Sequence, residues 1–238
     1  MKYGKLNIEK INLKNKAIVI ADVHYKKGNT EFLNLLKKWI ENPPPQVFFL
    51  GDIFHLLLPF EFLIKYNQEV IDLINTLSKK TEVYYTPGNH DFNIEKIFPS
   101  VKFSEAFIDE NKSIFLSHGD LTDTDKKYLF YVKIIRNAYF EMLLNIVSLN
   151  FINNWLFKKI LQKRIDCKKL PNFEKKIKEK MKNIDFNTII EGHYHQNRIL
   201  HVFDKIYINI PAFICTKSYI LLQLDTNPII KEIYYGGR

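Results

Sequence analysis

The chain of 238 residues predicts an α/β sandwich interrupted by a helical insertion. Strand-like and helix-like patterns alternate early, strand-like runs dominate the end, and 126–182 between them is helical in pattern with no evident strand. With 46% hydrophobic residues the chain can bury one sizeable core, or one domain carrying a large insertion.

The first strand is Ala17-Ile18-Val19-Ile20-Ala21, followed by Asp22-Val23-His24. From Thr30 to Glu41, Phe32, Leu35, Leu36 and Trp39 recur on one helical face, and Pro43-Pro44-Pro45 stops that helix. Val47-Phe48-Phe49-Leu50 reads as a short buried strand that Gly51 ends with a sharp turn. Asp52 then emerges at the strand's carboxyl end, where open α/β sheets place ligand-binding groups. A second helix is expected over 60–78 and a strand over 82–86, with Pro87-Gly88-Asn89-His90-Asp91 as the loop after it. The runs 103–108 and 113–117 predict a hairpin whose second strand leads to His118-Gly119-Asp120. After the helical stretch, strands resume at 188–190 and lead to Glu191-Gly192-His193-Tyr194-His195. Runs at 199–202, 205–210, 219–224 and 229–235 complete an antiparallel-looking tail. The core is therefore expected over 1–125 and 183–238, with an insertion of roughly 55 residues over 126–182 and boundaries uncertain by a few residues.

Five of the seven histidines follow these strands, in company with acids and one amide. The candidates are Asp22 and His24, then Asp52, then Asn89 and His90, then His118, then His193 and His195. One such histidine means little; five in the loops after four separate strands point to a shared site. Asp-x-His and His-x-His spacings place alternate side chains on one side of an extended loop. A mixed Asp, Asn and His set suits Mn²⁺, Fe or Zn²⁺, and contains no thiolate of the kind structural zinc sites favour. Cys167 and Cys215 lie far apart without a CxxC pair, so two free thiols and a reducing compartment are expected. The N-terminal stretch 1–16 is mixed polar and basic and carries no apolar core of a secretory signal.

The set Asp22-x-His24, Gly51-Asp52, Gly88-Asn89-His90-Asp91, His118 and Gly192-His193-x-His195, in this order, resembles the motifs of the calcineurin-like metallophosphoesterases. The resemblance implies a four-layer α/β/β/α sandwich and a site for two divalent ions, with Mn²⁺ the expected metal. Carried over by position, Asp22, His24, Asp52 and His195 would hold one ion. Asp52, Asn89, His118 and His193 would hold the other, with Asp52 as the bridge. His90 would stand over the phosphate as proton donor or charge stabiliser, oriented by Asp91. His55 is expected to brace the cleft, and His201, in a strand run, to play no part.

The net charge of +9 asks for an anionic partner, and it is concentrated. The stretch 126–182 holds fifteen Lys and Arg against four acids, a net of +11, leaving about −2 elsewhere. It is also apolar in part, with Phe140, Leu144, Val147, Phe151, Trp155 and Phe157 close together. Glu141, Asn145, Asn150, Asn153 and Asn154 argue against a membrane span, which wants about 20 mostly apolar residues. An interfacial or lipid-binding element fits better, the plain alternative being a surface helix that packs on the sandwich. The stretch leaves after His118 and returns before His193, so both of its ends must lie near the metals.

A basic, apolar cover over a phosphate-cleaving site suits a substrate with a phosphate and an acyl tail. This arrangement is similar to the UDP-2,3-diacylglucosamine diphosphatases of lipid A synthesis, which release UMP and 2,3-diacylglucosamine 1-phosphate. The stretch 117–128 resembles theirs, with Asp125 and Tyr128 at positions that approach the substrate. That family usually reads Gly-Asn-Arg-Asp where this chain has Gly88-Asn89-His90-Asp91, and its spacer to the tyrosine is one residue longer. An imidazole meets phosphate differently from an arginine fork. The resemblance implies a cytoplasmic enzyme, peripheral on the inner membrane, with a nucleotide-linked lipid and an anionic membrane surface as partners and no evident protein partner. Two other readings stay open: a phosphoesterase for nucleic-acid or soluble phosphodiesters, ranked lower because the aromatics do not form a stacking platform, and a metal-free scaffold that binds a membrane or partner.

Overall fold

The computed structural model describes residues 6–137, 159–182, 184–224 and 229–236. The apolar segment around Phe151 lies outside them.

Two six-stranded sheets face each other. One runs β12 (Ile229–Tyr234), β11 (Ser218–Gln223), β2 (Ala17–Ile20), β3 (Gln46–Leu50), β4 (Glu82–Thr86), β5 (Lys102–Phe103). The other runs β1 (Ile8–Lys10), β6 (Ala106–Asp109), β7 (Ile114–Ser117), β8 (Thr188–Glu191), β10 (Lys205–Asn209), β9 (Arg198–Val202). The period-2 alternation of strand side chains decides what each face meets. Val19, Phe48, Leu50 and Tyr84 point between the sheets and meet Phe107, Leu116, Ile190 and Ile208. Ile18, Ile20, Val47, Phe49 and Tyr85 point outward, under α1 (Thr30–Glu41), α2 (Glu61–Tyr66) and α3 (Gln68–Ser78). On the far face, Ile108, Phe115, Ile189 and Tyr207 are covered by Phe173, Ile177 and Met181 of α5 (Phe173–Met181). The layers are thus helix, sheet, sheet, helix, as the resemblance implies.

Local chemistry explains the element ends. The Asn29 side chain caps α1 by accepting from Phe32 N. The expected single helix over 60–78 divides at Asn67, whose amide donates to Leu56 O and Leu63 O. The expected strand over 103–108 also divides. Lys102–Phe103 pairs with β4 in one sheet and Ala106–Asp109 with β7 in the other, so the chain changes sheets at Ser104 and Glu105. The tail is less antiparallel than its pattern suggests, because β10 pairs parallel with β8. β1 has no apolar run to reveal it; Leu13 N donates to buried Asp109 just beyond it.

Between β7 and β8 the described residues hold α4 (Lys126–Ile135), α5 and no strand. Asp125 caps α4, accepting from Lys127 N and Tyr128 N. The cysteines overturn the expectation of free thiols: Cys167 and Cys215 form a disulfide. Local spacing carried no sign of it, since tertiary folding brings the two side chains together.

Candidate metal centre

The strands β2, β3 and β4 are parallel, as are β7 and β8, and the candidate ligands leave their carboxyl ends at one edge of the sandwich. The loops do not converge as extended chain. Asp22, His24, Asp52, His193 and His195 all have positive φ, between 45° and 68°. Left-handed backbone at a non-glycine residue costs roughly 1–3 kcal/mol and persists where the surrounding structure holds it, most often at functional sites. Gly51 turns with φ +73°, and a Cβ there would lie 2.5 Å from the His118 ring. A Cβ on Gly88 would come within 2.1 Å of Asp52 Oδ1, so this position needs glycine for lack of space.

Three sets of side chains bring ligand atoms within 4.8 Å of one another: Asp22, His24 and His195; His24, Asp52 and His90; Asp22, Asp52 and His118. Asp52 stands between two imidazoles, with His24 Nε2 3.7 Å from Oδ2 and His118 Nε2 3.7 Å from Oδ1. His195 Nε2 lies 3.3 Å from Asp22 Oδ1. His193 stands a little apart, its ring centroid 5.1 Å from that of His118. The Asn89 amide oxygen accepts from Tyr128 OH at 3.1 Å and lines the same cleft.

The residues present fit divalent ions. His24 and His118 are buried, yet both ring nitrogens of His24 and Nε2 of His118 have no hydrogen-bond partner. Unpaired buried nitrogens beside a carboxylate are costly unless something binds them. His118 Nδ1 donates to Leu50 O at 2.8 Å, which fixes the tautomer and leaves Nε2 as the free ligand atom. His195 Nδ1 likewise donates to Asp166 O at 2.9 Å. Burial, then the neighbouring imidazoles, hold His24 well below the ordinary imidazole value; burial and His118 do the same to His193. Both therefore present neutral rings. Burial would also lower His118 and His195, but carboxylates outweigh it, chiefly Asp52 for His118 and Asp22 for His195, which is raised to about 9. A metal ion at either nitrogen would take the place of that proton.

Asp91 departs from its expected role of orienting His90. Its buried carboxylate accepts from the N–H groups of Asp52, Ile53, Phe54 and Gly88 and from Tyr85 OH. It ties the Asp52 loop to the Gly88 loop from behind. Burial, then Asp52, raise its carboxyl to about 6. His90 Nδ1 instead donates to His55 O at 2.7 Å. His90 also comes within ligand reach of His24 and Asp52, closer to the centre than sequence reasoning placed it. His55 is fully buried, and its Nε2 bonds Ile160 O in the insertion. His201 lies exposed on β9, away from these groups.

Several supporting residues were not legible as such. Glu191 accepts from Ser117, Thr122, Tyr207 and Lys180, joining the His118 and His193 loops. Lys180 also donates to Gly119 O. Arg136 donates to Pro87 O, Gly88 O and Asp120 Oδ2. Asp123 pairs with Lys176 at 2.7 Å and accepts from Tyr194 OH at 3.0 Å. Glu191 and Asp123 sit beside motifs that could have drawn attention; nothing in the pattern separates Lys180 or Arg136 from the other basic residues.

Beneath the insertion lies a cleft of about 580 Å³. Its lining joins His24, Asp52, Asn89, His90, His193 and His195 with Lys163, Arg164, Lys168, Lys169 and Lys176. Asp123, Asp125, Asp166, Tyr128, Tyr194, Ile165, Leu170 and Pro171 complete it.

Two stacked sheets that gather histidines and carboxylates of this kind at one edge define the chain as a metallophosphoesterase. It belongs to the calcineurin-like phosphoesterase family, whose model matches residues 16–197, and it is a phosphoester hydrolase. It is similar to a UDP-2,3-diacylglucosamine hydrolase of Coxiella burnetii, 23% identical over 198 residues, covering 76% of this chain and 81% of the relative. A protein of the same name from Aromatoleum aromaticum is 24% identical over 137 residues, covering 53% of this chain and 56% of its own. Among solved structures, a dimetal phosphatase of Danio rerio aligns over 93% of this chain and 99% of that one, with 12% identity and a TM-score of 0.46.

Proposed function

We propose that the chain hydrolyses the pyrophosphate of a nucleotide-linked, acylated sugar such as UDP-2,3-diacylglucosamine, releasing UMP and the sugar 1-phosphate. The observation that carries this is the composition of the cleft, which brings candidate metal ligands together with four lysines, an arginine, Ile165 and Leu170. The five cations outnumber Asp123, Asp125 and Asp166 in the lining and suit a substrate with two phosphates, and the apolar residues suit what lies beyond them. The similarity to UDP-2,3-diacylglucosamine hydrolases supports the same substrate class.

In this reading, residues 1–125 and 183–238 form the catalytic core and 126–182 the cover. Asp22, His24, Asp52 and His195 would hold one divalent ion, and Asp52, Asn89, His118 and His193 the other, Mn²⁺ being the expected metal. Two such ions would clamp the phosphoryl oxygens and supply hydroxide at neutral pH. His90, with Nδ1 committed to His55 O, leaves Nε2 to steady charge on the phosphate or to protonate the leaving oxygen. Asp91 acts through position, holding the loops of Asp52 and Asn89 together. Burial keeps the Tyr128 hydroxyl protonated, so it donates to Asn89 and holds that amide in place. Asp125 and Tyr128 border the cleft where the sugar would pass. Among the described residues no helix is long and apolar enough to cross a membrane. The exposed Phe130, Tyr131 and Ile134 of α4 give the cover a surface that would meet lipid, with the enzyme peripheral on the inner, cytoplasmic membrane face.

The test is UMP release from the diacylated UDP-sugar with Mn²⁺, beside bis-p-nitrophenyl phosphate and single-stranded DNA, with Asp52→Ala as control. UMP release lost in the variant is the expected result. DNA cleavage without UMP release would sink the proposal.

A further inference from the structure

Cys167 belongs to the strip of chain that walls the cleft, and Cys215 to the short helix α6 (Phe213–Thr216). Both neighbourhoods lead to the same candidate ion. The N–H groups of Phe213 and Ile214 donate to the carbonyls of Ala21 and Asp22, at 3.1 and 3.0 Å, so α6 sits on the backbone of Asp22. On the other side, Asp166 immediately precedes Cys167, and its carbonyl is the acceptor for His195 Nδ1. His195 Nε2 in turn faces Asp22 Oδ1. The disulfide therefore closes a ring that runs from Asp22 through α6, the two sulfurs, the Asp166 carbonyl and His195, back to Asp22.

We infer that the Cys167–Cys215 disulfide is a positioning device for His195, making the affinity of one of two metal sites depend on thiol oxidation. The inference rests on Asp22 and His195 being ligands of one ion. An imidazole ligand is tuned by the acceptor on its other nitrogen, and losing that partner typically weakens metal affinity 10–100-fold. Here the acceptor is a backbone carbonyl on an exposed stretch, where the Asp166 side chain makes a local bond, its Oδ1 accepting from Lys168 N at 2.9 Å. Lys26 holds the strip upstream through Leu161 O and Lys163 O, and Gln196 holds it downstream through Leu170 N and Lys168 O. Breaking the disulfide leaves those anchors and the local Asp166–Lys168 turn in place, and removes the covalent tie between that turn and α6.

Cys167 is exposed, so a water-soluble phosphine reaches the bond. The phosphine gives two electrons to the disulfide; water supplies two protons to the sulfurs and its oxygen to the phosphine oxide, leaving two thiols. The experiment is a Mn²⁺ titration of the full chain followed by electron paramagnetic resonance of the free ion. It is run on oxidised, phosphine-reduced and reoxidised protein and on Cys167→Ser and Cys215→Ser, with thiols counted and circular dichroism recorded throughout. The expected result is two sites in the oxidised protein. Reduction or either substitution weakens one site at least 10-fold and spares the other, and reoxidation restores it. In metal-free protein, reduction moves the Nδ1–H proton resonance of His195 upfield and speeds its exchange with solvent, as the bond to Asp166 O loosens. Two unchanged sites in fully reduced protein, equal weakening of both, or two free thiols after air oxidation would overturn the inference while leaving the proposed function intact. A chain that binds no Mn²⁺ in any state overturns both.

Discussion

Asp22 and Asp52 hang from loops held mainly by their own sheet, whereas His118, His193 and His195 depend on residues drawn from 126–182. On the first side, the Asp91 carboxylate gathers four backbone N–H groups and one phenol, and Asp22 N and His24 N donate to the carbonyls of Gly51 and Asp52. On the second, Lys180 reaches from α5 to Glu191 and Gly119, Lys176 to Asp123, and the Asp166 carbonyl to His195. Arg136 adds a contact across the two, from the end of α4 to Gly88 and Asp120. The difference teaches what the insertion does apart from covering the cleft: its described ends brace half of the site. A loop held by many local N–H bonds loses little when one goes. A loop held by a buried ion pair loses much, because removing one charge strands the other.

That contrast can be broken experimentally. The largest effect is expected at the residue shared by both sides. Asp52→Ala should lower UMP release at least about 10³-fold with Mn²⁺, and a chelator should do the same to the wild type, with activity returning on adding the metal; stopped assays of released UMP measure both. Next comes Lys180→Met, which leaves Glu191 buried without its cation. Urea unfolding should show a loss of about 3–5 kcal/mol, and Mn²⁺ titration a weakened site at His118 and His193. If Lys180→Met matched wild-type stability and metal binding, the second side would not need the insertion. Tyr85→Phe tests the first side by removing one of the donors to Asp91, and should cost about 2 kcal/mol with both metal sites retained. The smallest effect is one of pH. Burial would raise the Asp123 carboxyl, but Lys176 and the Asp125 N–H outweigh it and hold it below its ordinary 3.8. A depressed folded value means stability that is present above 3.8 and lost as pH falls through the folded value. The urea midpoint of Asp123→Asn should therefore fall below wild type at pH 7 and converge with it at lower pH.

Much of this molecule is local in origin. The runs before Asp22, Asp52, Asn89 and His118 are strands because β-branched and aromatic residues suit a pleated, buried surface, and the ligands follow wherever glycine or left-handed turns end them. Such information lies within a few residues of each motif, which is why the strands and the candidate ligands could be read from the chain alone, while the order of the layers came with the family resemblance. Tertiary structure decided the rest. Lys178 and Lys180 look alike in sequence, yet Lys178 pairs with Glu174 in solvent while Lys180 is 3% exposed against Glu191. Only the face that α5 turns to the sheet separates them. Likewise Asp91 reads as the partner of its neighbour His90, but three-dimensional packing gives its carboxylate to backbone N–H groups as distant as Asp52. Cys167 and Cys215 meet, and His193 N reaches Asp22 across 171 positions, because the sheets stack and the chain returns to the same edge. Periodicity reports how a residue sits relative to its own element; which distant partner it meets is settled by how those elements pack.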